Sequence, residues 1–400
     1  MGRCIILLEY EEKKTPSGSS RDPNSMPIMN INNVERKLFM NQRNETLRTH
    51  FRVGLIGLGG MAQSHIRHIQ GIENFSITAI CDVSEASLAK VGAQLQLPAH
   101  RCFSHYKELI TDPEVDVIAS VTPNDVHAEI IQACLEANKP FMAEKPFTRT
   151  FEEAEHLLQL YQENPVPAMV SFVYRYTPAF RYAKELIVQG KIGTVRSASL
   201  QYLQGWGAAS KNVPYLWRFN KDITGTGTLG DLGSHMIDMA HYLFGSFQEL
   251  SAQLQTIIPE RKDSSTGQLV KVEVDDFASF QARLEGDIRC VFQTTRNAIG
   301  SGNQHEASIY GDIGTLHAST EKPDELLWIY EEPSTGQLIR QIMTVPENVK
   351  ATQWDDFLNL LLGTPRDDMP GFIDGYENQK VLEACVRADA LKMTVHLDHM

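Results

Sequence analysis

Four hundred residues exceed what one hydrophobic core organises, so two domains are expected and a small disulfide scaffold is excluded. With 42% hydrophobic and 22% charged residues, the chain has enough apolar surface to fold as a soluble globular protein, without fibrous or disordered bias. Its 50 Asp and Glu against 37 Lys and Arg leave a net charge of -13, which argues against nucleic acid and membrane as partners and leaves small molecules open.

In chain order, the first ten residues hold only the short apolar run 4–8, followed by Glu9, Glu11 and Glu12. They lack the length and flanks of a secretory signal, so a cytoplasmic protein is expected. No apolar run reaches the roughly 18 residues that span a bilayer. Residues 1–50 read as an extension, expected to be flexible, with a linker composition over 15–24. From Arg52 onward, short apolar runs alternate with amphipathic stretches. Buried strands are predicted at 53–56, 75–81, 115–121, 140–143 and 168–173. Helices are predicted at 62–72, 84–95, 124–138 and 150–164, the last opened by a capping box of Thr150 and Glu153. Such βαβ repetition implies a parallel sheet with right-handed crossovers. After a helix at 177–189, strands follow at 196–203, 249–258, 277–292, 306–316, 325–330 and 338–345, which predicts an antiparallel sheet. Helices at 231–244, 352–362 and 375–391 are expected to cover that sheet or to pack back on the first domain. The six cysteines lie far apart with no CxxC pair, which argues against disulfides and a thiolate zinc site.

The chemistry begins where the first strand runs into Gly57-Leu58-Gly59-Gly60-Met61-Ala62 and then a helix. This is GxGxxA in the strand, turn, helix order that pyrophosphate binding needs. Gly57 permits the tight turn, Gly59 lets the backbone approach a pyrophosphate, and Ala62 keeps helix and strand close. Free N–H groups at the helix start then face the anion, with Met61 in the same turn. Asp82 ends the second strand, where a carboxylate accepts hydrogen bonds from the adenosine ribose and repels a 2′-phosphate, favouring NAD over NADP. Ligands of an open parallel sheet lie beyond the carboxyl ends of its strands. Two further strands end there, in Thr122-Pro123-Asn124-Asp125-Val126-His127 and in Glu144-Lys145-Pro146. Asn124 by itself reads best as a helix cap. Lys145 leaves a central strand partly desolvated, and Pro146 restricts it to an extended backbone, so its ammonium is aimed.

Over 227–245, about 100° per residue puts Asp231, His235, Asp238 and Tyr242 on one helix stripe beside an apolar one. A carboxylate four residues from an imidazole can touch it, so Asp231 is expected to orient His235. A metal held by Asp231, His235 and Asp238 is the weaker reading, since His241 points away and no outside ligand is evident; no metal is expected. Together Lys145, Asp231 and His235 suit hydride transfer from a secondary alcohol to nicotinamide, which needs the hydroxyl proton removed and positive charge near the alkoxide. The residues leave the base open between His235 and Lys145.

The Gly57 motif, Asp82, the Thr122-to-His127 and Glu144-Lys145-Pro146 segments, Phe172-Val173-Tyr174-Arg175-Tyr176-Thr177-Pro178, Trp217-Arg218 and the Asp231-to-Asp238 segment occur in order between 51 and about 395. As a set they resemble the glucose-fructose oxidoreductase, inositol dehydrogenase and MocA family. The resemblance implies an α/β fold: an N-terminal Rossmann domain with a doubly wound parallel sheet over 51–173, and a C-terminal α/β domain with an open, mostly antiparallel sheet over 174–400. That second domain is expected to bind substrate and to form homodimers or homotetramers through its exposed sheet face. Thr122, Asn124, His127, Glu144, Lys145 and Arg175 are implied at the nicotinamide half of the cofactor, and Lys145, Asp231 and His235 as catalytic. Tyr174, Arg175, Trp217 and Arg218 are implied at the substrate, although Phe172, Tyr174 and Tyr176 also read as one packed face of a strand. The expected activity is hydride transfer between NAD(P) and a sugar, inositol or related polyol. Two other readings stay open. One is tightly held NAD serving epimerisation, glycoside cleavage or coupled sugar oxidation and reduction. The other is a non-catalytic cofactor-sensing regulator, against which the intact Lys145 and His235 count.

Overall fold

The computed structural model describes residues 49–400, so the expected extension over 1–50 lies outside the described residues but for its last two. Six parallel strands, β1 (Phe51–Ile56), β2 (Phe75–Cys81), β3 (Cys102–Phe103), β4 (Val117–Ser120), β5 (Phe141–Ala143) and β6 (Ala168–Val170), form a sheet in the order β3-β2-β1-β4-β5-β6. The central strands read as continuous apolar runs because helices cover both faces, and Val53, Leu55, Val117 and Ile118 are buried. Strand order reverses between β1 and β4, so a crevice opens beyond Ile56 and Ser120. The covering helices are α1 (Ala62–Gln70), α2 (Glu85–Gln94), α3 (Tyr106–Thr111), α4 (His127–Glu136) and α5 (Phe151–Glu163). Neither β3 nor α3 was predicted, because each is too short to show a period. The capping box at the start of α5 is formed as predicted, with Thr150 Oγ1 accepting from Glu153 N at 3.3 Å.

The rest of the chain forms α6 (Pro178–Val188) and then β7 (Val195–Leu203), β8 (Phe247–Gln255), a small ribbon of β9 (Glu260–Lys262) and β10 (Leu269–Lys271), β11 (Phe277–Leu284), β12 (Ile288–Thr295), β13 (Gln304–Gly311), β14 (Gly314–Ser319), β15 (Glu325–Glu331), β16 (Leu338–Thr344) and β17 (Val395–His396). Nine of these strands make one sheet in the order β16-β15-β14-β13-β7-β12-β11-β8-β17, in which β7 and β12 are parallel and the other pairs antiparallel. The predicted single strands over 277–292 and 306–316 are each a hairpin. Gly286 and Asp287, at φ 70° and 62°, turn the first, and apolar alternation resumes so soon that the pattern hides the break.

One face of this sheet, with Leu200, Phe292, Ile309 and Leu316, is buried against α6, α7 (Ser234–Phe244) and the last long helix. The opposite face leaves Val291 and Ile342 exposed. Helix α8 (Gln353–Leu361) packs back on the first sheet, where Trp354 and Phe357 meet Phe75 with ring centroids 5.5 and 6.3 Å apart. The following α9 (Phe372–Leu391) covers β8 and sets Phe372 against Phe147 and Tyr161 of the first domain. Among the described residues, no helix is long and apolar enough to cross a membrane.

Candidate active site

Beyond β1, Gly57 turns at φ +87°, and a Cβ there would lie 2.3 Å from Val121 O, so only glycine makes this turn. Gly59 and Gly60 have no neighbour within 4 Å of where a Cβ would stand. The N-terminus of α1 carries no side-chain cap and no acidic residue in its first turn. Its positive end therefore faces clear space that a diphosphate can enter, and the residues present fit a dinucleotide. Ala62 is buried between helix and sheet, while Met61 is exposed at the rim. Asp82 ties β2 to this loop, accepting from Leu58 N at 2.7 Å through Oδ2 and from Ser84 N at 2.8 Å through Oδ1. Each oxygen keeps a lone pair for a ribose hydroxyl. Asp82→Ala is expected to weaken NADH about tenfold, near the ~1.4 kcal/mol of one charge-assisted hydrogen bond, and NADPH less. Paired Kd measurements check this, and an unchanged NADH to NADPH ratio removes Asp82 from the ribose.

After β4, His127 is buried, with its ring nitrogens 2.8 Å from Pro146 O and 2.9 Å from Thr122 O. It thereby pins the loop after β4 to the turn holding the cis Lys145–Pro146 bond. Asn124 is no helix cap: it starts a 3-10 turn, and its Nδ2 donates to Thr224 O at 3.2 Å, reaching across to the second half of the chain. Glu144 accepts from His65 Nε2 at 2.9 Å and from Lys145 N at 3.2 Å. Burial works to raise its carboxyl, but the His65 hydrogen bond and the nearby cations outweigh it and hold the group below its ordinary range.

Lys145 Nζ donates to both Asp231 Oδ1 and Asp231 O at 2.9 Å. With His235, these side chains line one cavity of about 390 Å³, together with Tyr202, Trp206 and Arg218. The expected contact between Asp231 and His235 is not made. Asp231 Oδ2 instead accepts from Arg296 Nη2 at 2.8 Å, and His235 Nδ1 is buried without a hydrogen-bond partner. The prediction assumed one continuous α-helix, whereas Leu229–Gly233 is π-helical and α7 starts only at Ser234. A π turn adds a residue, so the four-residue spacing no longer stacks the two side chains. Asp275 anchors the start of this segment, accepting from Gly227 N and Leu229 N at 2.7 Å, and a Cβ on Gly227 would lie 1.8 Å from Asp275 O.

The predicted stripe also divides. Asp238 is bound by Arg175, whose Nε lies 2.9 Å and Nη2 2.7 Å from Oδ1, and Asp374 takes Nη2 as well. Arg175 is 4% exposed in this network and is not brought to the cavity, unlike the expectation of a cofactor and substrate contact. Among the described residues no three metal-ligating side chains converge. Tyr174 stands behind the cavity wall, in a 3-10 turn over Val173–Tyr176 and not in a strand. Its hydroxyl is 2.6 Å from that of Tyr202 and its ring 4.6 Å from His235. Trp217 lies outside the lining and stacks on Arg218 at 4.4 Å.

Electrostatics separate His235 from Asp231. Burial, then the charge of Lys145, push the His235 imidazole well below its ordinary value, so it rests neutral. Burial alone would raise Asp231, but Lys145 and Arg296 overcome it and hold the carboxylate far below its usual range. Sequence reasoning missed Tyr202, Trp206 and Arg296, for which no local motif distinguishes them from other residues of their kind.

The model of an oxidoreductase family with an NAD-binding Rossmann fold matches residues 51–172, and the C-terminal domain model of the same family matches residues 180–317. Levoglucosan dehydrogenase of Pseudarthrobacter phenanthrenivorans is 36% identical over 295 residues, covering 69% of this chain and 75% of that protein. The chain belongs to the glucose-fructose oxidoreductase, inositol dehydrogenase and MocA family. Another relative in the family is the NADP+ scyllo-inositol 2-dehydrogenase of Bacillus subtilis, 32% identical over 306 residues, 73% of this chain and 82% of the relative. A solved levoglucosan dehydrogenase complex with NADH superposes with a TM-score of 0.80 at 30% identity, covering 87% of this chain and 99% of that one. This family member is an NAD(P)-dependent oxidoreductase acting on CH–OH groups.

Proposed function

We propose that this family member oxidises a ring hydroxyl of a sugar, inositol or related cyclic polyol by hydride transfer to NAD. The observation that carries this reading is that Lys145, from the loop after β5, and His235, from α7, line one cavity of about 390 Å³, within the roughly 300–1,000 Å³ of small-ligand pockets. Bound NAD supplies the hydride acceptor. Neutral His235 takes the hydroxyl proton, and the Lys145 ammonium, held by Asp231, stabilises the alkoxide that forms. Tyr202 and Trp206 offer ring faces to the C–H side of the sugar. Levoglucosan dehydrogenase, whose solved complexes hold NADH with levoglucosan or L-sorbose, supports a cyclic sugar of that size.

The reading divides the chain into a cofactor domain over 51–173 and a substrate domain over 174–400, working in the cytoplasm as a homo-oligomer. The open face of the large sheet favours the last point, because Val291, Ser308, Leu327 and Ile342 lie in one row across it. The test is a panel of inositols, hexoses and anhydro sugars with NAD or NADP, followed by absorbance of the reduced cofactor. Continuous NADH release with one class of cyclic polyol is the expected result. Reduced cofactor that stays bound points to the tightly held NAD chemistries, and NAD binding without any oxidation overturns the enzymatic role.

A further inference from the structure

We propose that Arg296 is a positioning residue: by sharing the Asp231 carboxylate with Lys145, it limits how tightly that carboxylate holds the ammonium and leaves Lys145 able to turn to the substrate oxygen. This rests on the reading of Lys145 as the group facing the reacting alcohol. Arg296 follows directly on β12, and its side chain is 2% exposed. Its Nη2 donates to Asp231 Oδ2 at 2.8 Å and lies 3.4 Å from Gly227 O, while its guanidinium sits 5.3 Å from the Trp206 ring and 6.0 Å from that of Phe219. Two of its nitrogens, Nε and Nη1, are buried without a hydrogen-bond partner.

The contrast with Arg175 carries the argument. Arg175, a buried cation away from the cavity, is saturated by Asp238 and Asp374. Arg296 leaves two donors unsatisfied in an aromatic slot and spends its one ion pair on the carboxylate that holds Lys145. Its charge is also permanent, because a guanidinium does not deprotonate in the working pH range. The other charged or titratable groups around Lys145 are Glu144 with His65 behind it, His235 on α7, Tyr202 from β7 with His305 behind it, and Arg218 from the loop before α7. Of Arg218 and Arg296, Arg296 is the one bonded to Asp231.

Without Arg296, Asp231 holds the ammonium alone. Lys145 then keeps its proton to higher pH, and its ammonium, drawn to Asp231, is offered less to the alkoxide. Arg296→Met is therefore expected to lower kcat roughly tenfold or more and to move the alkaline limb of the kcat/KM profile up by about one pH unit, the size of one charge several ångströms away. Arg296→Lys returns the cation and is expected to bring the limb back. A second readout needs no substrate: lysines are reductively methylated with 13C-formaldehyde, and the Lys145 methyl resonance is assigned by its loss in Lys145→Arg. The midpoint of its pH dependence is expected to rise by about one unit in Arg296→Met. Arg296→Gln keeps an N–H donor for Asp231 and supplies a folded neutral variant should the methionine not be tolerated. A folded neutral variant whose limb and resonance both stay at the wild-type position overturns the proposal. A wild type that oxidises no polyol defeats the functional reading, yet the resonance still decides the role of Arg296.

Discussion

Lys145→Ala is expected to fold, to bind NADH close to wild type, and to lose about 10³-fold or more in kcat. Electrostatic stabilisation of a developing oxyanion by one preorganised group is worth roughly 10²–10³-fold, and misplacing the alcohol adds to that. Stability changes little because the truncation strands no charge: Asp231 keeps Arg296 on its other oxygen. Thermal unfolding, NADH titration by fluorescence and steady-state turnover of the same preparation separate these quantities. A variant that binds cofactor and turns over near the wild-type rate removes Lys145 from the reaction.

A second large effect falls on stability and leaves the chemistry alone. Arg175→Met is expected to destabilise the protein by about 3–5 kcal/mol, the range found when one partner of a buried ion pair is removed. Burial works against the Arg175 guanidinium, but Asp238 and Asp374 outweigh it and hold the group above its ordinary value. Deleting it leaves Asp238, 2% exposed, without its cation. Burial already pushes the Asp238 carboxyl up to about 7 beside Arg175, against about 3.9 in the unfolded chain, and without that cation it rises further. A carboxyl raised in this way costs stability at pH above the unfolded value and ceases to do so below it. Relative to wild type, the deficit therefore deepens as the pH rises above about 7, where the wild-type carboxyl ionises and that of the variant does not. Urea unfolding of both proteins near pH 7 and pH 9 checks this, and equal midpoints near pH 7 refute it. NADH affinity of the folded variant is expected to stay at the wild-type level, because Arg175 does not line the cavity.

The parts of the site that rest on short-range backbone rules were legible. The turn at Gly57 needs a residue without a Cβ, and the capping box at Thr150 is a contact between residues three apart. The strand carrying Lys145 toward the crevice shows as an apolar run ending at a proline. The pairing of Asp231 was misread because helical spacing was carried through 229–233, where the backbone is π-helical. Arg175 was misplaced for a different reason: nothing local distinguishes an arginine facing a ligand from one saturated by carboxylates. For the same reason Arg296 went unnoticed, and the return of Trp354 onto the first sheet stayed one of two options.

By itself, then, the sequence determined the α/β architecture, the dinucleotide loop and the identity of Lys145 and His235 as facing groups, since periodicity, glycine, proline and caps act over a few residues. Only the tertiary structure decided which charges meet. Asp231 has an imidazole four residues away, yet it binds Lys145 across 86 residues and Arg296 across 65. Removing charges from water is costly, so a buried carboxylate settles on the cations that packing brings within reach, whatever their distance along the chain.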